Sequence, residues 1–195
     1  MDLTDKKIGF AITGSFCTFE KTFLALEALS KTGADIYPIM SENVYSTDTR
    51  FGKCADFIAR AEKICGKKII KSVKEAEPIG PKQMLDILVI APCTGNTIAK
   101  IASGIADSSV TMAVKAHLRN CRPVVIAVST NDALANAAKN IGMLLNYKNI
   151  YFVPFGQDDY IKKPNSLVAD FTKLNAAIDA ALENKQLQPI LCCLS

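Results

Sequence analysis

Two short runs of glycine, hydroxyl and amide residues could bind an anion in this chain, and each directly follows an apolar run. The first is Thr13-Gly14-Ser15, after Ile8-Gly9-Phe10-Ala11-Ile12. The second is Thr94-Gly95-Asn96-Thr97, after Ile87-Leu88-Val89-Ile90 and Ala91-Pro92-Cys93. Helical apolar spacing follows both, with Phe16, Phe19, Phe23 and Leu26 in one case and Ile98, Ile101, Ala102 and Ile105 in the other. A buried strand that empties through a polar turn into a helix leaves free N–H groups and a positive dipole end at the carboxyl edge of a sheet. Gly14 allows close backbone approach and Ser15 adds a short hydroxyl. The loop holds no Lys or Arg, so amides and the helix dipole would meet a phosphate's charge. One such turn is also an ordinary strand–helix connection in any α/β domain; two of them point to a ligand site.

The elements that must position these turns follow from periodicity. The pattern predicts strands over 8–12, 34–40, 68–71, 86–91, 123–128 and 149–153. Helices are predicted over 16–32, 52–65, 95–104, 108–120, 131–144 and 167–184, with a helix or turn over 72–76. Loops fill 41–51, 78–81 and 154–166. Strands alternate with helices, and Val124-Val125-Ile126-Ala127 is apolar on both faces, which predicts a parallel sheet covered on both sides. The expected fold is α/β, a Rossmann-like three-layer α/β/α sandwich around a doubly wound, mostly parallel sheet. Its 195 residues suit one domain over 1–195.

Composition narrows the function. At 49% hydrophobic and 22% charged residues, the chain can bury a full core. A net charge of +4, carried by scattered lysine pairs without aromatic interleaving, argues against a nucleic-acid surface. The seven cysteines form no Cys-x-x-Cys and no even framework, and no apolar stretch approaches a membrane span. The expectation is therefore a protein of the reducing cytoplasm, without metal, membrane or disulfides. His117, the one histidine, reads as a structural surface residue. Gly-x-Gly-x-x-Gly and Walker patterns are absent, so a mononucleotide fits better than a dinucleotide.

The same residues carry a resemblance. Thr13-Gly14-Ser15 and Ala91 through Thr97, followed by Ala99-Lys100-Ile101-Ala102 and Gly104-Ile105-Ala106-Asp107, resemble the flavoprotein family of FMN-binding cysteine decarboxylases. A narrower set is similar to the flavoprotein-like B subunits of the spore dipicolinate synthases. It comprises Ser46 to Gly52, Ala76 to Pro81, Ser129 to Leu134, Pro154 to Asp159 and Lys162 to Ser166. The broad resemblance implies FMN, with phosphate at Gly14 and Ser15, and phosphate or ribityl at Ser41. Thr94, Gly95, Asn96 and Thr97 would hold the flavin edge and ribityl chain. Ser41 could instead cap a turn, and Asn96 or Thr97 the helix that begins there.

Departures from the family matter too. No His lies between Ser41 and Cys65, where the decarboxylases carry one. Their Pro-Ala-Met-Asn-x-x-Met element is here Val128-Ser129-Thr130-Asn131-Asp132-Ala133-Leu134, which keeps only Asn131. Decarboxylation of a peptidyl cysteine is disfavoured. Cys93, in place of a small Ala, reads as a small buried hydrophobe. The narrow resemblance implies a cyclic dicarboxylate, dihydrodipicolinate or its hydroxytetrahydro precursor, oxidised to dipicolinate. Arg50 and Lys163 would anchor carboxylates, with Asn131 beside them, unless Asp48 or Asp159 pairs with the two cations. The resemblance further implies a partner of nicotinamide type, the A subunit of dipicolinate synthase. It also implies a trimer-based homo-oligomer and the mother cell of a sporulating bacterium. A non-redox scaffold for that A subunit, or another FMN-dependent decarboxylase or prenyl-FMN-type transferase, are the alternatives. No general base can be named.

Overall fold

Apolar runs buried on both faces make the centre of a seven-stranded sheet. The structure, a computed structural model, describes residues 3–193. In chain order the elements are β1 (Lys7–Ile12), α1 (Phe19–Ser30), β2 (Asp35–Met40), α2 (Glu42–Ser46), α3 (Cys54–Cys65) and α4 (Val73–Ala76). They continue with β3 (Ile87–Cys93), α5 (Gly95–Ala102), α6 (Ser109–Leu118), β4 (Val124–Thr130) and α7 (Ala138–Leu145). The chain then forms β5 (Ile150–Phe152), β6 (Phe155–Gly156), β7 (Leu167–Ala169) and α8 (Leu174–Leu182). Every residue of β3 is buried, as is all of β1 after Lys7. Such strands need helices on both faces, which is the condition for parallel pairing.

The sheet order is β2-β1-β3-β4-β7-β6, with β5 also on β4. β1 to β5 are parallel, while β7 runs antiparallel to β4 and β6 to β7. The chain leaves β1 toward β2 on one side and returns to β3 on the other. α1 and α8 pack on one face of the sheet, and α6, with α4 and α5 against it, on the other. The three-layer, mostly parallel sandwich is as expected. Between β1 and β3 the connections diverge, and at such a point the loops separate and leave a crevice at the carboxyl ends of the strands. Both polar turns lie there.

Several boundaries differ from the sequence reading. The expected loop 41–51 contains α2, and the expected strand 68–71 reduces to one bridge, Ile39 to Ile70. The expected helix 131–144 begins only at Ala138; before it, i to i+3 bonds such as Ala135 N–H to Asp132 C=O form successive turns. The expected helix 167–184 opens as β7 and becomes α-helical at Leu174, and the expected loop 154–166 contains β6. β3 and β4 each run two residues further than expected, to Cys93 and Thr130.

Candidate functional site

Thr13 clasps the two turns together. Its hydroxyl donates to the Pro92 carbonyl at 2.8 Å and accepts the Thr94 N–H at 3.0 Å, while its own N–H also reaches Pro92 C=O at 3.3 Å. The residue is buried, so these bonds face no competition from water. The end of β2 joins the same edge, because the Ser41 N–H donates to Ile12 C=O at 3.1 Å. The end of β4 joins through Ser129, whose Oγ lies 2.7 Å from Ser15 Oγ.

At the first turn, the Ser15 N–H donates to Thr13 C=O at 2.8 Å, so this amide is already used within the protein. A short 3-10 turn over Phe16–Thr18 then leads into α1. A Cβ built on Gly14 would meet nothing nearer than Phe16 at 3.5 Å and Asn43 at 3.7 Å, which is ordinary contact. The protein's own packing therefore does not require a glycine at position 14. The space beside Gly14 leaves its backbone open to close approach from outside the chain.

The second turn is built differently. Thr94 is the N-cap of α5 and accepts the Thr97 N–H at 3.3 Å, so neither Asn96 nor Thr97 has the capping role considered for them. Asn96 lies exposed in the first turn of α5 and Thr97 is buried. Ile98 N–H is met by Thr94 C=O, which leaves the first amides of the helix facing outward. A Cβ on Gly95 would come within 2.7 Å of Asp132 Oδ1 and 2.8 Å of Thr130 Oγ1. Glycine at 95 is thus demanded by the close packing of α5 on the end of β4. Asp132 itself accepts Thr130 Oγ1–H at 2.5 Å.

The remaining expected residues divide. The Ser41 hydroxyl makes no capping bond to α2, so the turn-capping role does not apply to its side chain. Asn131 is exposed directly beyond β4. Arg50 is exposed on a tight loop closed by reciprocal Thr49 and Gly52 bonds, its guanidinium 4.9 Å from the Phe51 ring centroid. Asp48 accepts the Cys54 N–H at 2.9 Å at the start of α3, a bond that holds its carboxyl below the usual range. It does not pair with Arg50. Gly52 packs against Phe57, which meets Phe16 and Phe19, so aromatic contacts tie the Arg50 loop to the first turn. Lys163 does have an acidic partner, Asp158 at 2.9 Å; Asp159 instead accepts the Lys162 N–H. The Asp158 hydrogen bond raises the Lys163 pKa first, with smaller contributions that include the Cys17 thiol beside the first turn.

Cys93 is fully buried and its thiol is pushed up by that burial, as befits a small core residue. His117 is buried and not on the surface as expected: it is 1% exposed, its Nε2–H donates to Pro123 C=O at 3.1 Å, and burial lowers its pKa to about 4. Among the described residues no His, Cys, Asp and Glu group is placed to hold a metal, and no helix is long and apolar enough to cross a membrane. Sequence reasoning passed over Thr13, Ser129 and Asp132 as site residues. The available signal was a hydroxyl or acid ending an apolar run, repeated on three neighbouring strands.

Two concavities are lined mainly by other parts of the chain. One of about 590 Å³ runs between α1 and the β7 segment and is lined by Leu24, Asp158, Phe171 and Asn175. Another of about 620 Å³ lies around Tyr147, Tyr151 and Gln186. Neither is lined by the residues of the two turns, and the first includes Asp158, the partner of Lys163.

Residues 1–179 match the Flavoprotein family. The B subunit of dipicolinate synthase from Bacillus subtilis (strain 168) is 50% identical over 189 residues, covering 97% of this chain and 94% of that protein. The crystal structure of the dipicolinate synthase B subunit from Bacillus halodurans superposes with a TM-score of 0.92 at 45% identity, over all of both chains. An FMN complex of DmrB from Burkholderia xenovorans shares the fold, with a TM-score of 0.67 at 21% identity over 92% of this chain and 96% of that one. The chain belongs to the flavoprotein family and, within it, to the group of dipicolinate synthase B subunits.

Proposed function

We propose that this chain is the flavin-binding subunit of an enzyme pair that oxidises a cyclic dicarboxylate to dipicolinate during sporulation. The substrate would be dihydrodipicolinate or its hydroxytetrahydro precursor. The observation that carries the flavin part is Gly14: it stands at the point where the sheet connections diverge, and no neighbouring protein atom accounts for it. The donor set is of the right kind for a phosphate monoester and a polyhydroxyl chain. Gly14 and Ser15 would take the phosphate, Ser41 the phosphate or ribityl, and Thr94, Gly95, Asn96 and Thr97 the ribityl chain and ring edge. The outward amides of α5 suit an electron-rich ring edge. FMN supplies a two-electron acceptor when bound.

The chain's own residues would hold the substrate. Arg50 offers a planar two-donor fork and, among the described residues, pairs with no carboxylate. Lys163 would exchange Asp158 for a substrate carboxylate, and Asn131 offers an exposed amide beside the second turn. A second copy, or an A subunit of nicotinamide type, would complete the site, in the cytoplasm of the mother cell. The test is to purify the chain alone and with the A subunit, then measure flavin absorbance and dipicolinate formation together. A yellow chain that is needed for turnover is expected. A colourless chain that merely raises the activity of the A subunit would overturn the flavin reading in favour of a scaffold.

A further inference from the structure

The three hydroxyls beneath the first turn have a countable set of protons. Each hydroxyl gives one proton and can receive others. Thr18 Oγ1 donates to the Ser15 carbonyl at 2.8 Å, because a carbonyl only accepts. Ser129 Oγ donates to Thr18 Oγ1 at 3.4 Å. Where Ser129 spends its proton on Thr18, Ser15 Oγ, 2.7 Å from Ser129 Oγ, is the donor of that contact; otherwise Ser129 donates to Ser15, whose Oγ also lies 3.9 Å from Cys17 Sγ. In the first case the Ser15 proton points inward, and so does its amide, which is bound to Thr13 C=O. In this arrangement Ser15 offers an incoming anion neither donor.

The chain of hydroxyls has one weak link. A distance of 3.4 Å is long for an O–H···O bond, whose usual range ends near 3.0 Å. Ser129 can therefore turn its proton from Thr18 to Ser15 at small cost. That reversal keeps the 2.7 Å contact and frees the Ser15 proton for an anionic oxygen, where a charge-assisted bond forms. Ser129 and Thr18 are 2% and 5% exposed, so water is poorly placed to substitute for either.

We propose that Ser129 is a positioning residue which, by reversing its hydroxyl, turns the Ser15 proton toward a phosphate ester and gives the site a preference for phosphorylated over unphosphorylated flavin. This rests on the flavin reading above. The test titrates the parent chain and Ser129→Ala with FMN and with riboflavin, following flavin fluorescence. In Ser129→Ala the Ser15 hydroxyl is released from its inward acceptor but loses the donor that fixes its orientation, so FMN affinity should fall about five- to tenfold, with riboflavin affinity unchanged. An FMN-to-riboflavin preference equal to or above the parent's overturns the proposal; a general loosening of the fold lowers both affinities together and leaves that preference intact. If Ser129→Ala binds neither compound, the same ratio is read in Ser129→Cys, which is close in size and a poor donor. A parent that binds neither flavin overturns the flavin reading and the role of Ser129 with it. A parent that binds FMN, with the preference retained in the variants, overturns the role of Ser129 alone.

Discussion

The two ends of the sheet are finished in opposite ways. At the amino end, two charged side chains and a buried neutral imidazole satisfy backbone groups: Asp86 accepts the Lys7 N–H at 2.9 Å, Arg122 binds the Leu85 carbonyl and Asp86, and His117 donates to Pro123 C=O. Lys67 binds Asp35 at the start of β2. At the carboxyl end the two turns and the end of β2 present small neutral groups, namely Thr13, Gly14, Ser15, Ser41, Thr94 and Gly95, with Asp132 beside Gly95 as the charged exception. The ion pairs that close one end are replaced at the other by uncharged donors, some of them left facing out. An end closed by its own side chains contributes to stability, and an end left with outward donors is available to a ligand.

The largest expected effect belongs to the amino end. In the unfolded chain His117 gains a proton as the pH falls below about 6.5, whereas the folded site resists until about 4. Between these values the unfolded state binds more protons, so stability decreases as pH decreases, by roughly 3 kcal/mol over the whole window. Replacing His117 by Gln, which keeps a donor for Pro123 C=O, should flatten this slope in urea melts between pH 7 and 4. Flavin affinity at pH 7 should not change. An identical slope in both proteins would transfer the acid lability to carboxylates and blur the contrast between the two ends.

Within the carboxyl end, framework and ligand positions should separate. Gly95→Ala forces a Cβ onto Asp132 and Thr130, and about 2 kcal/mol of stability should be lost, read as a lower midpoint in thermal or urea melts. A variant as stable as the parent would mean that the end of β4 yields easily. Ser15→Asp is next: a fixed negative charge beside the proposed phosphate position should weaken FMN binding at least tenfold, about 1.4 kcal/mol. Unchanged affinity would remove phosphate from this turn. The smallest effects on stability, within about 0.5 kcal/mol, are expected for Gly14→Ala and Asn96→Ser, since neither position has a packing or capping duty. Both should nevertheless weaken FMN measurably in the same titration, and equal affinity would make the outward donors incidental.

What could be read from the sequence follows the same division. The strand-to-turn junctions were legible because β1, β3 and β4 are continuous apolar runs that stop abruptly at polar residues. Periodicity misled at Ala133, Ala137, Ile141 and Leu144, which keep helical spacing although successive turns, not α-helix, carry the first two. The antiparallel β6 and β7 are two and three residues long, too short for any alternation to register. In the site, the turns were visible as local patterns. The Thr13–Thr94 clasp and the Ser15–Ser129 contact join residues 81 and 114 positions apart, and no local pattern encodes them. The partners of Asp48 and Lys163 depended in the same way on loop geometry.

The outer edge of β4 bears on the order in which the protein can be completed during synthesis. That edge is shared: Val124–Ile126 pair with β5, and Ser129 and Thr130 pair with Val168 and Leu167 of β7. A nascent chain holds both halves of the Thr13 clasp once residue 94 has emerged, whereas the strand that supports Ser129 arrives more than seventy residues later. A domain folds as a unit, so contacts within it become stable together and not in the order of synthesis. The Thr13 clasp and the Ser15–Ser129 contact therefore both wait for β7, the strand that completes the outer edge of β4.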